Sequence, residues 1–426
     1  MEREYLNLNV YEAIQKRFSY IFQEFDNIYV SFSGGKDSGL LLNMLMDYKH
    51  KHGITKKIGV FHQDFEAQYS YTTKYVEEMF DRYMDEIDPY WVCLPMAVRT
   101  ALSSYELFWY PWDDQKQDIW VRPMPKKPFV INMDNNPFTL YKYKMHQEDL
   151  AKQFGRWYRL VHGEKKTICL LGIRASESLQ ITKQFKEVYI GMPMYDWSVS
   201  DVWTANAKFA YPYNEIYDLY YKAGLKPYQM RVASPFNEYA KDSLNLYRVI
   251  EPQTWTKLVG RVQGANFAAI YAKSKAMGYR NITLPPGHTW RSYTYFLLET
   301  LPAKLRNAYI KKFNTSIQFW HTTGGGLSEA AIEEIESKGY HIKRNGVSNY
   351  TLDKKTRIIF IGRIPDDTDD IKLTKDIPSW KRMCYCILKN DHMCRFMGFG
   401  LTRQQQKQID LLRVKYKRWE ETCDEV

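Results

Sequence analysis

A short apolar run, Asn27-Ile28-Tyr29-Val30-Ser31-Phe32, stops at Ser33-Gly34-Gly35, and apolar residues then recur at Leu40, Leu41, Met44, Leu45 and Tyr48. The first pattern is that of a buried strand, and the second has the spacing of one helical face. A strand that turns this sharply into a helix constrains the fold more than any other feature of the chain. A second short strand is expected at Ile58 to Phe61, followed by a helical stretch from Tyr71 to Met84. A later strand at Thr167 to Ile173 also runs into a polar loop. Strands alternating with helices predict an α/β fold with a parallel sheet and right-handed crossovers. Ligands of such sheets sit outside the carboxyl ends of the strands, where the loops after Phe32, Phe61 and Ile173 would meet.

The length of 426 residues favours two or three domains. Residues 1–235 are expected to form the sheet domain, and residues 236–426 an accessory region that is mostly helical with a small α+β unit. Within the first, Leu94 to Phe138 is rich in Pro, Trp and Tyr with weak periodicity, which suggests an insertion packed over the sheet. Ser198 followed by Asp201 has the spacing of a capping box opening a helix. In the accessory region helical patterns run to about Phe313. Gly324-Gly325-Gly326 then breaks the chain before a helix-plus-strand unit containing Arg357 to Ile361, and the tail from Thr402 returns to helix.

Ser33-Gly34-Gly35-Lys36-Asp37-Ser38 falls where unpaired backbone N–H groups and the positive end of a helix dipole coincide, which is a place for phosphate. Two glycines let the backbone approach an anion closely. The Ser33 and Ser38 hydroxyls and the Lys36 ammonium supply further donors. Asp37 beside a phosphate suits Mg²⁺ or a helix cap. A Walker A loop is excluded, because its first glycine would fall on Val30 and its hydroxyl residue on Asp37.

SGGKDS after a strand resembles the pyrophosphate loop of the ATP pyrophosphatase (PP-loop) superfamily. Later segments resemble its phosphoadenosine phosphosulfate (PAPS) reductase branch, roughly over residues 10–230. Phe61-His62-Gln63-Asp64-Phe65-Glu66 stands where that family lines its adenosine pocket, although the usual Asp-Thr-Gly is missing. Gly172-Ile173-Arg174-Ala175-Ser176-Glu177-Ser178 is similar to the family's G-x-R-x-x-E/D-S segment, whose arginine reaches phosphate. Pro193 to Trp197, with Asp201-Val202-Trp203, is similar to its P-x-x-D-W…D-V-W stretch and precedes Tyr213-Asn214-Glu215-Ile216-Tyr217. The resemblance implies that Ser33 to Ser38, Asp64, Gly172, Arg174, Glu177 and Ser178 bind ATP or a related adenine nucleotide. Lys36, Asp37 and Arg174 would be the catalytic set, with Mg²⁺ on Asp37. Asp196, Trp197 and Trp203 read instead as packing and capping groups.

PAPS reduction is not implied. The family's C-terminal Glu-Cys-Gly is absent and Cys423 lies among acidic residues, which raise a thiol pKa. Cys384, Cys386, His392 and Cys394 lie close enough in sequence to bind zinc, but their spacing is uncommon and buried core cysteines are the simpler reading. The chain as a whole resembles PAPS-reductase-like proteins with a C-terminal extension, including immunoglobulin-binding regulator A. That resemblance implies a ParB-like protein as a candidate partner.

The formal net charge of +11 adds nucleotides, nucleic acid and acidic proteins as partner classes. The densest basic stretch, Arg413 to Arg418, is interleaved with apolar residues and supports DNA binding weakly. Six cysteines in a chain of this length do not make a secreted disulfide framework. With no apolar signal or membrane-spanning segment in the sequence, the expected compartment is the cytoplasm. Two functions follow as expectations. One is ATP cleavage between the α and β phosphates to adenylylate an acceptor that the residues do not name. The other is a nucleotide sensor acting on a ParB-like partner or DNA. ATP, adenosine phosphosulfate and PAPS all remain candidate ligands.

Overall fold

The structure, a computed structural model, describes residues 7–103, 106–174, 188–237, 241–265, 282–348, 355–374 and 377–397. The expected helix from Thr402, the Arg413 to Arg418 stretch and Cys423 lie outside them. Helix α1 (Val10–Glu24) opens on a capping box between Asn9 and Glu12, and β1 (Asn27–Ser31) follows at once. Then come α2 (Lys36–Lys51), β2 (Ile58–Gln63), α3 (Ser70–Arg82) and β3 (Ile87–Val92).

The segment expected to be an insertion does more than cover the sheet. It forms a short antiparallel pair, β4 (Val98–Arg99) with β5 (Phe108–Trp109), and then supplies β6 (Val130–Ile131), which pairs with β3 as a parallel edge strand. Helix α4 (Gln147–Val161) leads to β7 (Thr167–Leu171), which stops two residues before the expected end, and β8 (Val188–Gly191) closes the sheet. Helix α5 (Val199–Phe209) begins at the predicted Ser198–Asp201 capping box, and α6 (Ile216–Lys222) follows.

The six strands are all parallel, in the order β6-β3-β2-β1-β7-β8. The chain winds outward from β1 to β6 on one side and then crosses to β7 on the other. The order therefore reverses between β1 and β7, which is where a crevice opens at the carboxyl edge of such a sheet. Alternation fills both faces: Ile28, Val30 and Phe32 pack with α1, α2 and α3, whereas Tyr29, Phe61 and Cys169 pack with Phe154 and Tyr158 of α4.

The apolar core of the second face continues past residue 235. Phe236, Tyr247, Leu258 and Val262 join it, the last three from α7 (Tyr247–Ile250), α8 (Pro252–Arg261) and the residue after α8. Beyond lie helices at Trp290–Thr300, Ala303–Thr322 and Trp380–Leu388. A three-stranded antiparallel sheet joins Ile342–Val347, Thr356–Phe360 and Gly325–Leu327, so the triple glycine enters an edge strand rather than simply breaking the chain. Among the described residues no helix is long and apolar enough to cross a membrane.

Two buried ion pairs fasten these parts at the end of β2. Glu66, fully enclosed and at φ 63°, takes Arg261 Nε and Nη2 at 2.8 and 3.0 Å, with the Trp112 and Val121 N–H groups at 2.8 and 2.9 Å. Asp64 takes Arg122 Nη2 on both oxygens, at 2.6 and 2.5 Å. Removing one member of such a pair strands a buried charge. Arg261→Met should therefore lower the unfolding free energy by about 3–5 kcal/mol in urea titration. Adding Glu66→Gln should restore part of that loss, and a single variant as stable as wild type would contradict the pairing.

Candidate functional site

Between the end of β1 and the start of α2 the chain has only Phe32 to Gly35 in which to turn. Gly34 sits at φ +74°, and a Cβ there would meet Val76 Cγ2 at 2.9 Å and Thr72 Cγ2 at 3.0 Å, so both backbone and packing demand glycine. The turn is braced from within. Ser33 N–H donates to Ser38 Oγ at 3.2 Å, the two serine hydroxyls are 3.0 Å apart, and Ser38 Oγ donates to the Gly35 carbonyl at 3.2 Å. Hydroxyls expected to be phosphate donors are thus committed to the shape of the loop.

The loop is also held from outside. Asn214, fully buried, donates through Nδ2 to the Gly34 carbonyl and to Thr72 Oγ1, each at 2.9 Å. The Tyr217 hydroxyl accepts the Lys36 N–H at 3.0 Å. Trp203 stands edge-on to both Tyr213 and Tyr217, with ring centroids 5.4 Å apart in each case. Asn214 and Tyr217 are not among the expected ligand contacts; the sequence marks the segment carrying them only as following the stretch similar to the family's P-x-x-D-W…D-V-W. Gly35, the residue before α2, has no side chain with which to cap that helix.

The end of β7 comes against this turn. A Cβ on Gly172 would lie 2.8 Å from both Asp37 C and Ser38 N, so glycine alone lets the strand end approach the first turn of α2 and leaves the space beside those amides open. Two residues on, Arg174 is 1% exposed and its Nε lies 2.8 Å from Asp37 Oδ1. The N–H is not directed along that line, so the contact is ionic rather than a formed hydrogen bond. Lys36, 3% exposed, donates from Nζ to Asp37 Oδ2 at 2.7 Å. Lys36, Asp37 and Arg174 are thereby gathered from the ends of two strands at the positive end of a helix.

Mg²⁺ fits this carboxylate poorly. Each oxygen of Asp37 faces a cation, and among the described residues no group of three or more His, Cys, Asp or Glu is placed to hold a metal. Asp37 is placed here as a counter-ion to Lys36 and Arg174.

Asp64 also departs from its expected place in a nucleotide pocket. Its carboxylate is 0% exposed and bonded to Arg122, to Trp91 Nε1 at 2.7 Å and to the Glu66 N–H at 2.8 Å. Burial pushes its pKa up, but Arg122, His62 and these donors outweigh burial and hold it below the ordinary carboxylate range. Glu177 and Ser178 lie outside the described residues. Asp196 is bound by Arg17 through two hydrogen bonds of 2.7 Å, a packing role, and Trp197 is buried.

Cys384 and Cys386 are buried on the helix Trp380–Leu388, and Cys394 is buried beside them. Burial pushes the Cys384 thiol up to about 12, and Cys386, which donates to Asp391, is also raised.

A parallel sheet with a glycine-rich turn between strand and helix at its switch point defines a PP-loop type of α/β domain. Residues 27–223 match the phosphoadenosine phosphosulfate reductase domain, and residues 224–408 match a domain of unknown function, DUF3440. The chain belongs to the phosphoadenosine phosphosulfate reductase domain family. It is 30% identical to the uncharacterized protein YbdN of Escherichia coli (strain K12) over 97% of this chain and 96% of that protein. Distant likenesses exist among solved structures. The PAPS reductase of Candida auris is 14% identical, with a TM-score of 0.27 over 51% of this chain and 94% of that one. The FMN adenylyltransferase of Candida glabrata is 15% identical, with a TM-score of 0.30 over 51% and 64%.

Two outcomes are expected. Gly172→Ala should cost about 1–3 kcal/mol in stability through overpacking and should weaken pyrophosphate binding measured by calorimetry. Binding equal to wild type would mean the β7 end does not border the site. The second concerns pH. Burial holds His62 below its ordinary pKa, and its Nδ1 lies 2.8 Å from the Phe32 carbonyl. A depressed folded-state pKa contributes stability that is present above the unfolded value, about 6.5 for His and about 3.9 for Asp, and is lost as pH falls. Urea unfolding should show stability declining from about pH 7 to about pH 5 through His62, and further below about pH 4 through Asp64. His62→Asn should flatten the first decline, and an unchanged slope would remove His62 as its source.

Proposed function

We propose that the chain binds an adenine nucleotide at Ser33 to Ser38 and cleaves ATP between its α and β phosphates, transferring the adenylyl group to an acceptor oxygen. The observation that carries this reading is the meeting of Lys36 and Arg174 on one carboxylate at the amino end of α2. Two buried cations from the ends of two strands converge there, and a polyphosphate is a ligand that could draw on both. The acceptor oxygen attacks the α-phosphorus, the bond to the α,β-bridging oxygen breaks, and pyrophosphate leaves with the electron pair. Lys36, Arg174 and the amides of the first turn of α2 would stabilise the charge gathering on that leaving group. Asp37 would keep the two cations in register. Mg²⁺ would arrive as part of the magnesium–nucleotide substrate, with no protein carboxylate assigned to it.

PAPS reduction is not part of this reading. Burial raises the thiol pKa values of Cys93, Cys169, Cys384 and Cys386, the opposite of what a thiolate nucleophile requires. A cytoplasmic setting, where ATP is supplied and thiols stay reduced, suits it. A second reading makes the nucleotide a signal passed to a ParB-like partner or DNA. It is favoured by the Glu66–Arg261 pair, through which the end of β2 holds a helix of the C-terminal segment.

Calorimetric titration of ATP, adenosine phosphosulfate and PAPS, each with Mg²⁺, should show the preferred nucleotide losing about tenfold or more in affinity in Lys36→Ala and in Arg174→Met. Unaltered affinity in both variants would sink the site. Pyrophosphate release then separates the two readings, since sustained turnover supports adenylyl transfer and stoichiometric binding without turnover supports the signal.

A further inference from the structure

A cavity of about 680 Å³ lies on the flank of the sheet, and none of its lining residues belongs to the Ser33–Ser38 loop, to the end of β7 or to the Asn214–Tyr217 segment. One wall is the strap that descends from Arg122 to Pro128, another is edge strand β6 and its continuation, and Lys257 closes it from α8. It is thus shared between the two family segments, a setting in which ligand sites recur, and its volume suits a small molecule.

Its lining is of one sign. Arg122, Lys126, Lys127 and Lys257 contribute cations, and among the described residues no Asp or Glu lines the space. Two of the cations are paired with carboxylates that do not line the cavity: Arg122 with Asp64, and Lys127 with Glu77 at 2.8 Å and Asp81 at 2.9 Å. The other two, Lys126 and Lys257, are exposed. Trp120 offers a flat, partly buried ring whose Nε1 is already satisfied by the Asp113 carbonyl at 3.0 Å, so its contribution to the cavity is a surface for stacking. Asn132 and Asn135 also line it, with Asn135 Nδ2 donating to the Val130 carbonyl and Asn135 Oδ1 accepting the Asn132 N–H, so they shape the turn after β6. Paired and exposed cations around a flat apolar surface, with no acidic residue among the described lining, match the chemistry of a phosphorylated molecule that carries a planar ring.

We infer that this cavity is a second ligand site, for a phosphate ester of a planar-ring compound, distinct from the loop at Ser33 to Ser38. The inference does not depend on which nucleotide the loop takes. Pyridoxal 5′-phosphate is a suitable probe, because it has both features and its aldehyde condenses with a nearby lysine amine, losing water to give an imine that borohydride fixes. After reduction and peptide mapping, Lys126 or Lys257 should be the most heavily labelled positions, and inorganic pyrophosphate should protect them. Lys126→Gln with Lys257→Gln should reduce total labelling about tenfold at limiting probe, with an unchanged melting temperature because both side chains are exposed.

A calorimetric arm separates this site from the loop. In a Lys36→Ala background, pyrophosphate should still bind, and binding should disappear when Lys126→Gln and Lys257→Gln are added. The inference is overturned if label spreads evenly over surface lysines, if Lys36→Ala alone abolishes all pyrophosphate binding, or if only a long polyanion such as heparin protects the two lysines.

Discussion

One carboxylate held between two cations sets the terms for the centre of this molecule. Lys36 and Arg174 are both almost fully enclosed, and two like charges in a region of low dielectric repel strongly unless an anion lies between them. Asp37 supplies that anion only because the end of β7 can press against the first turn of α2, which in turn requires the bare backbone of Gly172. Strand β7 lies beside β1 in the sheet, and the reversal of strand order falls next to the loop. Asn214 and Tyr217 then hold the loop backbone from the opposite side, so its shape is determined before any ligand arrives.

A second set of charges does structural work at the neighbouring strand end. Asp64 and Glu66 are deeply buried, each matched by an arginine from a distant part of the chain, and through them the strap after β5 and helix α8 are tied to the sheet. The apolar core follows the same route past residue 235. The segment matching the reductase domain and the start of the segment matching DUF3440 therefore share one interior.

The sequence displays the parts of this architecture whose signal is local. The passage from Asn27 to Tyr48 reveals strand, loop and helix because apolar spacing changes within a few residues, and Ser198 with Asp201 reveals a cap because both partners lie within one turn. The three central charges are visible as residue types at strand ends. What stays hidden depends on partners far along the chain. Edge strand β6 is two residues long, too short for any alternation to show, and becomes a strand because β3 offers it an edge. Asp64 has the chemistry of a pocket residue, and nothing near it announces that Arg122 will enclose it. The serine hydroxyls look the same in sequence whether they face a phosphate or each other. Asn214 gives no sign of the carbonyl it will find on Gly34.

The pairing of β1 with β7 joins Asn27 to Thr167 and Ser31 to Leu171, contacts among the most widely separated in the sheet. Contacts between such distant residues form only after a large loss of chain entropy, and domains assemble on the ribosome as their residues emerge. Strand β1 and the glycine loop are synthesised early, yet Arg174, Asn214 and Tyr217, which complete and brace the site, come much later. A growing chain thus carries a half-formed loop through most of the domain's synthesis, and it gains its second cation and its outer braces only near the end. The site proposed for phosphate is therefore complete only in a domain that has already closed.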